Sequence, residues 1–216
     1  MTIHDCAQRT DEWRAMRAGR LTGSRAKAML AKIKTGEAAA RRDLRLVLVT
    51  ERLTGRPEED GYLNAVMQWG IDQEPMARAA YEGRTGQLVE TVGFCAHDTL
   101  AAGVSPDGLV GDDGAVSIKC PKSATHVGYL RERDEPAEHW AQHTHELWIT
   151  GRAWMDFVSF DPRLPDALQL HIVRLTRTPA QFEEYEAQVV AFLAECDHEE
   201  AALRTMMEAR RAKESR

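Results

Sequence analysis

Apolar and polar positions divide this chain into short alternating runs and longer helical stripes. Residues 88–95 alternate as a strand does, and 101–104 carry the same sheet onward. Leu109-Val110 and the run 115–118 are two more short strands, with Gly111-Asp112-Asp113-Gly114 as a hairpin turn between them. Further strands are predicted over 153–160, ended by Asp161-Pro162, and over 168–175. Leu44, Val47, Leu48 and Leu53 have helical spacing over 41–53, and Gly55-Arg56-Pro57 ends that helix. A second helical stretch covers 63–83 and is interrupted or begun afresh at Pro75. Residues 123–133 read as a helix broken at Glu135-Pro136, and the next helix covers 137–150. Pro179 opens a long helix whose Phe182, Tyr185, Val189, Phe192, Leu193 and Cys196 form one stripe. Residues 32–40 read as a polar loop, and 195–216 are charged and expected to fray.

Composition narrows the class. The chain has 216 residues, 43% of them hydrophobic, enough for one α/β domain with a substantial core. No run approaches the roughly 20 apolar residues of a membrane span. The first residues lack signal-peptide anatomy. Four scattered cysteines (Cys6, Cys95, Cys120, Cys196) read as reduced thiols rather than a disulfide or zinc framework, so a cytoplasmic setting is expected. The net charge of −6 argues mildly against a nucleic-acid partner. Between Arg17 and Arg56, however, eleven Lys and Arg face only three acids, which predicts one basic face able to track phosphates.

Candidate chemistry gathers around Ser105-Pro106-Asp107-Gly108, a turn sequence leading into the hairpin. Folded back, the hairpin brings Asp107 near the strand carrying Lys119, and alternation puts Ser117 and Lys119 on one face. Upstream, Thr22-Gly23-Ser24 reads as an N-cap for a helix beginning near Arg25. A guanidinium such as that of Arg17, beside a hydroxyl at a helix start, makes a phosphate seat.

An Asp at a strand start followed by a residue-x-Lys pair on the adjacent strand resembles the PD-(D/E)xK nuclease superfamily. Ser105-Pro106-Asp107-Gly108 with Ile118-Lys119-Cys120-Pro121 is closer to its phage lambda exonuclease and YqaJ-type viral recombinase branch. Trp13-x-x-x-Arg17-x-Gly19-x-x-Thr22-Gly23-Ser24 resembles that branch's opening motif, whose Arg and Ser contact the 5′ phosphate. Gln73-Glu74-Pro75-Met76-Ala77-Arg78 resembles its Glu-x-x-Ala-Arg helix, and Trp140-Ala141-Gln142 followed by 147–151 its glutamine helix. His139 stands where the family has an aromatic residue.

The resemblance implies a single nuclease domain over 1–216, α/β, with a central mixed β-sheet flanked by helices around a restriction-endonuclease-like core. Its parts are a basic N-terminal helical part over about 9–56, a catalytic core over about 63–175 and a C-terminal helix over about 179–213. It implies Mg²⁺, with Mn²⁺ substituting, held by Asp107, Glu74, the residue at Ser117 and the carbonyl of Ile118. Lys119 would act as base or orient water, Gln142 would orient the water or Lys119, and Arg17 and Ser24 would hold the 5′ phosphate. The implied activity is 5′→3′ exonuclease digestion of linear double-stranded DNA, leaving 3′ overhangs. A homotrimeric ring and a single-strand annealing partner are implied with it.

Ser117 departs from the pattern, since the branch has Glu there. A neutral hydroxyl is a poor substitute for a carboxylate on Mg²⁺, so weak cleavage is expected unless Glu74 and Asp107 suffice. Two other readings stay open. One is a non-catalytic DNA-end-binding or assembly protein. The other is a zinc hydrolase using His139 and His143, four apart on one helical face.

Overall fold

The computed structural model of the chain describes residues 1–58 and 65–214. The expected helix start at Leu63, the boundary of the core part at 63 and the last two residues of the tail lie outside the described residues. The strands are β1 (Thr2–His4), β2 (Leu21–Thr22), β3 (Val89–Glu90), β4 (Phe94–Ala96), β5 (Ala102–Val104), β6 (Gly108–Val110), β7 (Gly114–Lys119), β8 (Trp154–Phe160) and β9 (Leu170–Leu175). The helices are α1 (Asp11–Arg17), α2 (Ala26–Met29), α3 (Ala39–Thr54), α4 (Ala65–Thr85), α5 (Ser123–Glu132), α6 (Trp140–Thr150) and α7 (Pro179–Glu214).

Helices packed on mixed sheets are the expected α/β class, but the strands divide between two sheets. One is five-stranded in the order β3-β6-β7-β8-β9, and the other is four-stranded in the order β1-β4-β5-β2. Only β7 and β8 run parallel in the first, joined by the α5–α6 crossover. The alternating run 88–95, expected as one strand, splits into β3 in one sheet and β4 in the other. Gly93 is the joint. A Cβ there would stand 2.3 Å from the His4 carbonyl oxygen and 2.5 Å from that of Cys6, so the chain can pass the N-terminal segment only without a side chain.

The hairpin forms as predicted, pairing Gly108 with Val116 and Val110 with Gly114. Gly114 therefore belongs to the ladder, and Gly111 carries the left-handed turn at φ 53°. Along β7, Val116 and Ile118 pack on Ala77 and Tyr81 of α4, while Ala115 packs on Leu147 of α6. Ser117 and Lys119 thus face the α6 side by alternation, as expected.

Helix α4 runs continuously through Pro75 instead of breaking there. Proline removes one amide and with it the bond to the Ile71 carbonyl, a cost of about 3 kcal/mol. The burial of Ala77 and Tyr81 just beyond holds the helix on its course. On α7 the predicted stripe is buried at Tyr185, Val189, Phe192, Leu193 and Cys196. Among the described residues, no helix is long and apolar enough to cross a membrane.

His145 locks α6 in place. Its Nε2 lies 3.0 Å from the Gly103 carbonyl and its Nδ1 2.7 Å from the Tyr185 hydroxyl, in a site closed to water. Burial lowers its pKa to about 4 from 6.5. In the window between those values the unfolded chain binds the proton and the folded chain does not. The contribution is therefore whole above pH 6.5 and is lost as pH falls toward 4, by up to about 3 kcal/mol. His145→Gln should flatten the stability profile over that window in urea titrations; an unchanged slope would assign the acid sensitivity to other groups.

Candidate functional site

Asp107 stands one residue before β6, at the open end of the hairpin. Its Oδ2 accepts the Ile118 amide at 2.7 Å across the hairpin mouth. Beside it opens a cleft of about 730 Å³ whose walls include Asp107, Ile118, Lys119, Glu74, Arg17 and Ser24. Six residues predicted from separate stretches of sequence therefore share one cleft. Ser117 lies fully buried, and its hydroxyl has no hydrogen-bond partner. Gln142 does not bind Lys119: its Nε2 donates to Glu146 Oε1 at 2.7 Å.

The N-terminal helix is fastened to the Asp107 turn. Trp13 Nε1 donates to Ser105 Oγ at 2.7 Å, and Gln8 Nε2 donates to the Pro106 carbonyl at 3.2 Å. Arg17 lies over the Trp13 ring, 4.2 Å from its centroid, so the indole is both anchor and platform. Glu74 on α4 accepts from Arg78 at 3.2 Å and Arg9 at 3.4 Å. Arg9 adopts φ 71°, a left-handed conformation unusual for a side-chain-bearing residue.

Ser24 does not cap a helix. It lies within a 3₁₀ turn, Gly23–Arg25, closed by the Ala26 amide on the Gly23 carbonyl, and α2 starts one residue later. Because backbone closes that turn, the Ser24 hydroxyl is left exposed at the cleft, 3.4 Å from Thr22 Oγ1.

The basic face expected over 17–56 is neutralised in part. Arg41, Arg45 and Arg52 of α3 pair with Glu195, Glu199, Asp197 and Glu200 of α7. Arg25 forks onto buried Glu51 at 2.8 and 2.6 Å. Burial pushes the Glu51 carboxyl up, but Arg25 and the amides of Gly19 and Glu58 outweigh it and hold the group below its usual range. Net charge along the sequence misses these partners because most lie some 150 residues away on α7. The cations at the cleft are Arg9, Arg14, Arg17 and Lys119.

Sequence reasoning passed over Glu146. It is 3% exposed, and Oε2 has no hydrogen-bond partner. Burial pushes its carboxyl up to about 7; Lys119 pulls it down and Asp107 pushes it further up. Its signal in the sequence is its place four residues after Gln142, one helical turn on the same face. Burial also pushes the Cys120 thiol up to about 12, aided by Glu74 and Asp107, so it stays protonated.

His139 and His143 have ring centroids 5.6 Å apart. His143 Nδ1 is held by Glu135 at 2.8 Å and His139 Nε2 lies 3.3 Å from the Tyr129 hydroxyl. Among the described residues, no group of three or more His, Cys, Asp and Glu is placed to hold a metal, so the pair lacks the third ligand a zinc site needs.

The family model of the YqaJ-like viral recombinase domain matches residues 12–153. Among solved structures, the chain is similar to the alkaline exonuclease LHK-Exo of Laribacter hongkongensis, at 40% identity and TM-score 0.84, over 93% of this chain and 99% of that one. LHK-Exo in complex with dAMP matches at 41% identity and TM-score 0.85 over the same shares. A phage-related exonuclease from Haemophilus somnus 129PT shares the fold, at 14% identity and TM-score 0.68, over 85% of this chain and 96% of that one. No curated protein sequence matches.

Trp13→Phe keeps an aromatic ring, smaller than the indole, and deletes the donor to Ser105, so it should cost at least about 1 kcal/mol. Chemical denaturation would detect it, and a loss within error would mean that the bond to Ser105 does not hold α1.

Proposed function

Since the chain belongs to the YqaJ-like viral recombinase domain family, we propose that it is a metal-dependent DNA exonuclease. It degrades one strand of linear duplex DNA in the 5′→3′ direction and leaves 3′ overhangs for strand annealing. The observation that carries this reading is the meeting of Asp107 and Lys119 with Arg17 and Ser24 in one cleft. That is a hydrolytic pair and a phosphate seat within reach of one substrate.

The donors suit a hard divalent cation, Mg²⁺ or Mn²⁺. Asp107 has Oδ1 to offer, since Oδ2 holds the Ile118 amide, and the buried Ser117 hydroxyl has no protein partner. With them, the Ile118 carbonyl and Glu74 would make up an all-oxygen set. Such a cation supplies Lewis-acid stabilisation of charge on the phosphate. Lys119 orients the attacking water or takes its proton. Arg17, stiffened by stacking on Trp13, forks onto the terminal 5′ phosphate, and Ser24 donates to the same group. Gln142 acts on this site through Glu146. A homotrimeric ring, an annealing-protein partner and a cytoplasmic setting complete the proposal by likeness to the family. LHK-Exo, an alkaline exonuclease solved in complex with dAMP, supports a nucleic-acid substrate for this chain.

One feature favours a second reading. Ser117 leaves the strand without its second acid, as expected of an impaired enzyme or of a protein that binds DNA ends without cutting them.

Digestion of 5′-labelled duplex with Mg²⁺ tests both. Lys119→Ala should lower the rate by about 10²–10⁴-fold with the melting temperature unchanged, and chelation should abolish it. Cleavage near the parental rate by Lys119→Ala would remove that residue from the chemistry. Duplex binding without cleavage, whatever stands at 117, would establish the second reading. Arg17→Ala should erase a preference for 5′-phosphorylated over 5′-hydroxyl ends; if the preference persists, the phosphate seat lies elsewhere.

A further inference from the structure

Glu146 Oε2 is a buried carboxylate oxygen with no protein partner, and that is a costly thing to keep. A carboxylate serving only the fold would be paired on both oxygens, as Glu51 and Glu135 are. Glu146 has one bond, from Gln142 on the preceding turn of its own helix.

Its position is defined from two sides. Leu147, the next residue, packs on Ala115 of β7, so this part of α6 covers the strand face that carries Ser117 and Lys119. Gly23 lies against it: a Cβ there would stand 3.5 Å from Glu146 Oε1, which sets the carboxylate under the turn that presents Ser24 to the cleft. Asp107 and Lys119 both act on its charge, Lys119 favouring it and Asp107 opposing it. On β7, Ser117 has a buried hydroxyl that is also unpartnered. Two orphaned oxygens are therefore buried on elements joined through the cluster of Ala115 and Leu147, one of them two residues from Lys119.

We propose that Glu146 supplies, from α6, the second carboxylate of the cation site that β7 lacks at Ser117. The inference rests on the nuclease reading above and removes its main difficulty. The site would then hold a divalent cation with the carboxylates of Asp107 and Glu146, joined by Glu74 at the cleft, beside the Ser117 hydroxyl and the Ile118 carbonyl. The acid would have moved from strand to helix, and Gln142 would be the residue that positions it. Gln142 is thus a positioning residue rather than a catalytic one.

Titration calorimetry of the full chain with Mn²⁺ alone tests this without any DNA. The parent should bind Mn²⁺. Glu146→Gln should weaken binding at least tenfold, as should Asp107→Asn. The double variant Ser117→Glu with Glu146→Gln, which returns the acid to the strand, should recover binding to within a few-fold. Without cation, Glu146→Gln should melt no lower than the parent, because it removes a poorly satisfied buried acid; a structural role would predict a clear drop. Binding by Glu146→Gln equal to the parent, with Asp107→Asn defective, would overturn this inference and leave the nuclease reading standing. If neither variant changes binding, or the parent binds no Mn²⁺, both fall. Failure of the double variant to recover binding also overturns the relocation. If the single variant does not fold, the double variant decides alone: retained binding supports the relocation, and lost binding overturns it.

Discussion

The bond from the Ile118 amide to the Asp107 carboxylate holds the cleft together. A charged acceptor in a partly buried site makes such a bond worth roughly 1.5–3 kcal/mol, above the usual neutral pair. It also does something the β6–β7 ladder cannot. The ladder's first registered pair is Gly108 with Val116, so the ladder itself does not reach Asp107. The 2.7 Å bond ties the turn before Gly108 to the end of β7, where Lys119 begins to leave the sheet. Ser105 is held in the same turn, Trp13 hangs from Ser105, and Arg17 rests on Trp13. One carboxylate oxygen thus indirectly sets the position of a guanidinium ninety residues earlier in the chain, while the other oxygen stays available to the cleft.

Charge follows a similar rule of partners before totals. Read linearly, residues 17–56 are a basic segment; folded, half of their arginines clamp α3 to α7 or close on Glu51. Exposed pairs of this kind add little stability each, about 0–1 kcal/mol. Their larger effect is on the field. With those four arginines paired and a net charge of −6, long-range attraction of the body of the molecule to a polyanion is weakened. The cleft adds cations of its own, of which Arg17 is stacked in place.

Much of this was legible in the sequence, and the reasons differ element by element. The hairpin could be read because its turn chemistry and its strand alternation agree. The α7 stripe could be read because a 3.6-residue period sustained over many turns fits a helix and no strand. The shared face of Ser117 and Lys119 followed from the pleat alone. What escaped depends on contacts that local pattern does not encode. The run 88–95 alternates convincingly, yet Gly93 sits under the His4 and Cys6 backbone and splits it between two sheets. Pro75 suggested a new helix, but packing of Ala77 and Tyr81 on the sheet carries α4 through it. Ser24 looked like a cap because a Ser before a helix usually is one; here a 3₁₀ turn closes on backbone, and the hydroxyl goes to the cleft. Gln142 was singled out and Glu146 was not, although the two are one hydrogen-bonded unit.

That last omission bears on how a site tolerates change at a strand position. A carboxylate at 117 would be held by the sheet, with its reach fixed by the ladder that pairs Ser117 with Phe157 of β8. A carboxylate at 146 is held by a helix, itself anchored through buried His145 and Leu147. The energetics of the two differ, however. On the helix the acid is fully enclosed, its charge opposed by burial and by Asp107 and favoured by Lys119. Removing the strand acid avoids placing a third negative charge in that enclosure, since carboxylates so close cannot all stay ionised without a cation between them. A serine at 117 is then what the enclosure requires once Glu146 is present: small enough to leave room, and polar enough to offer an oxygen.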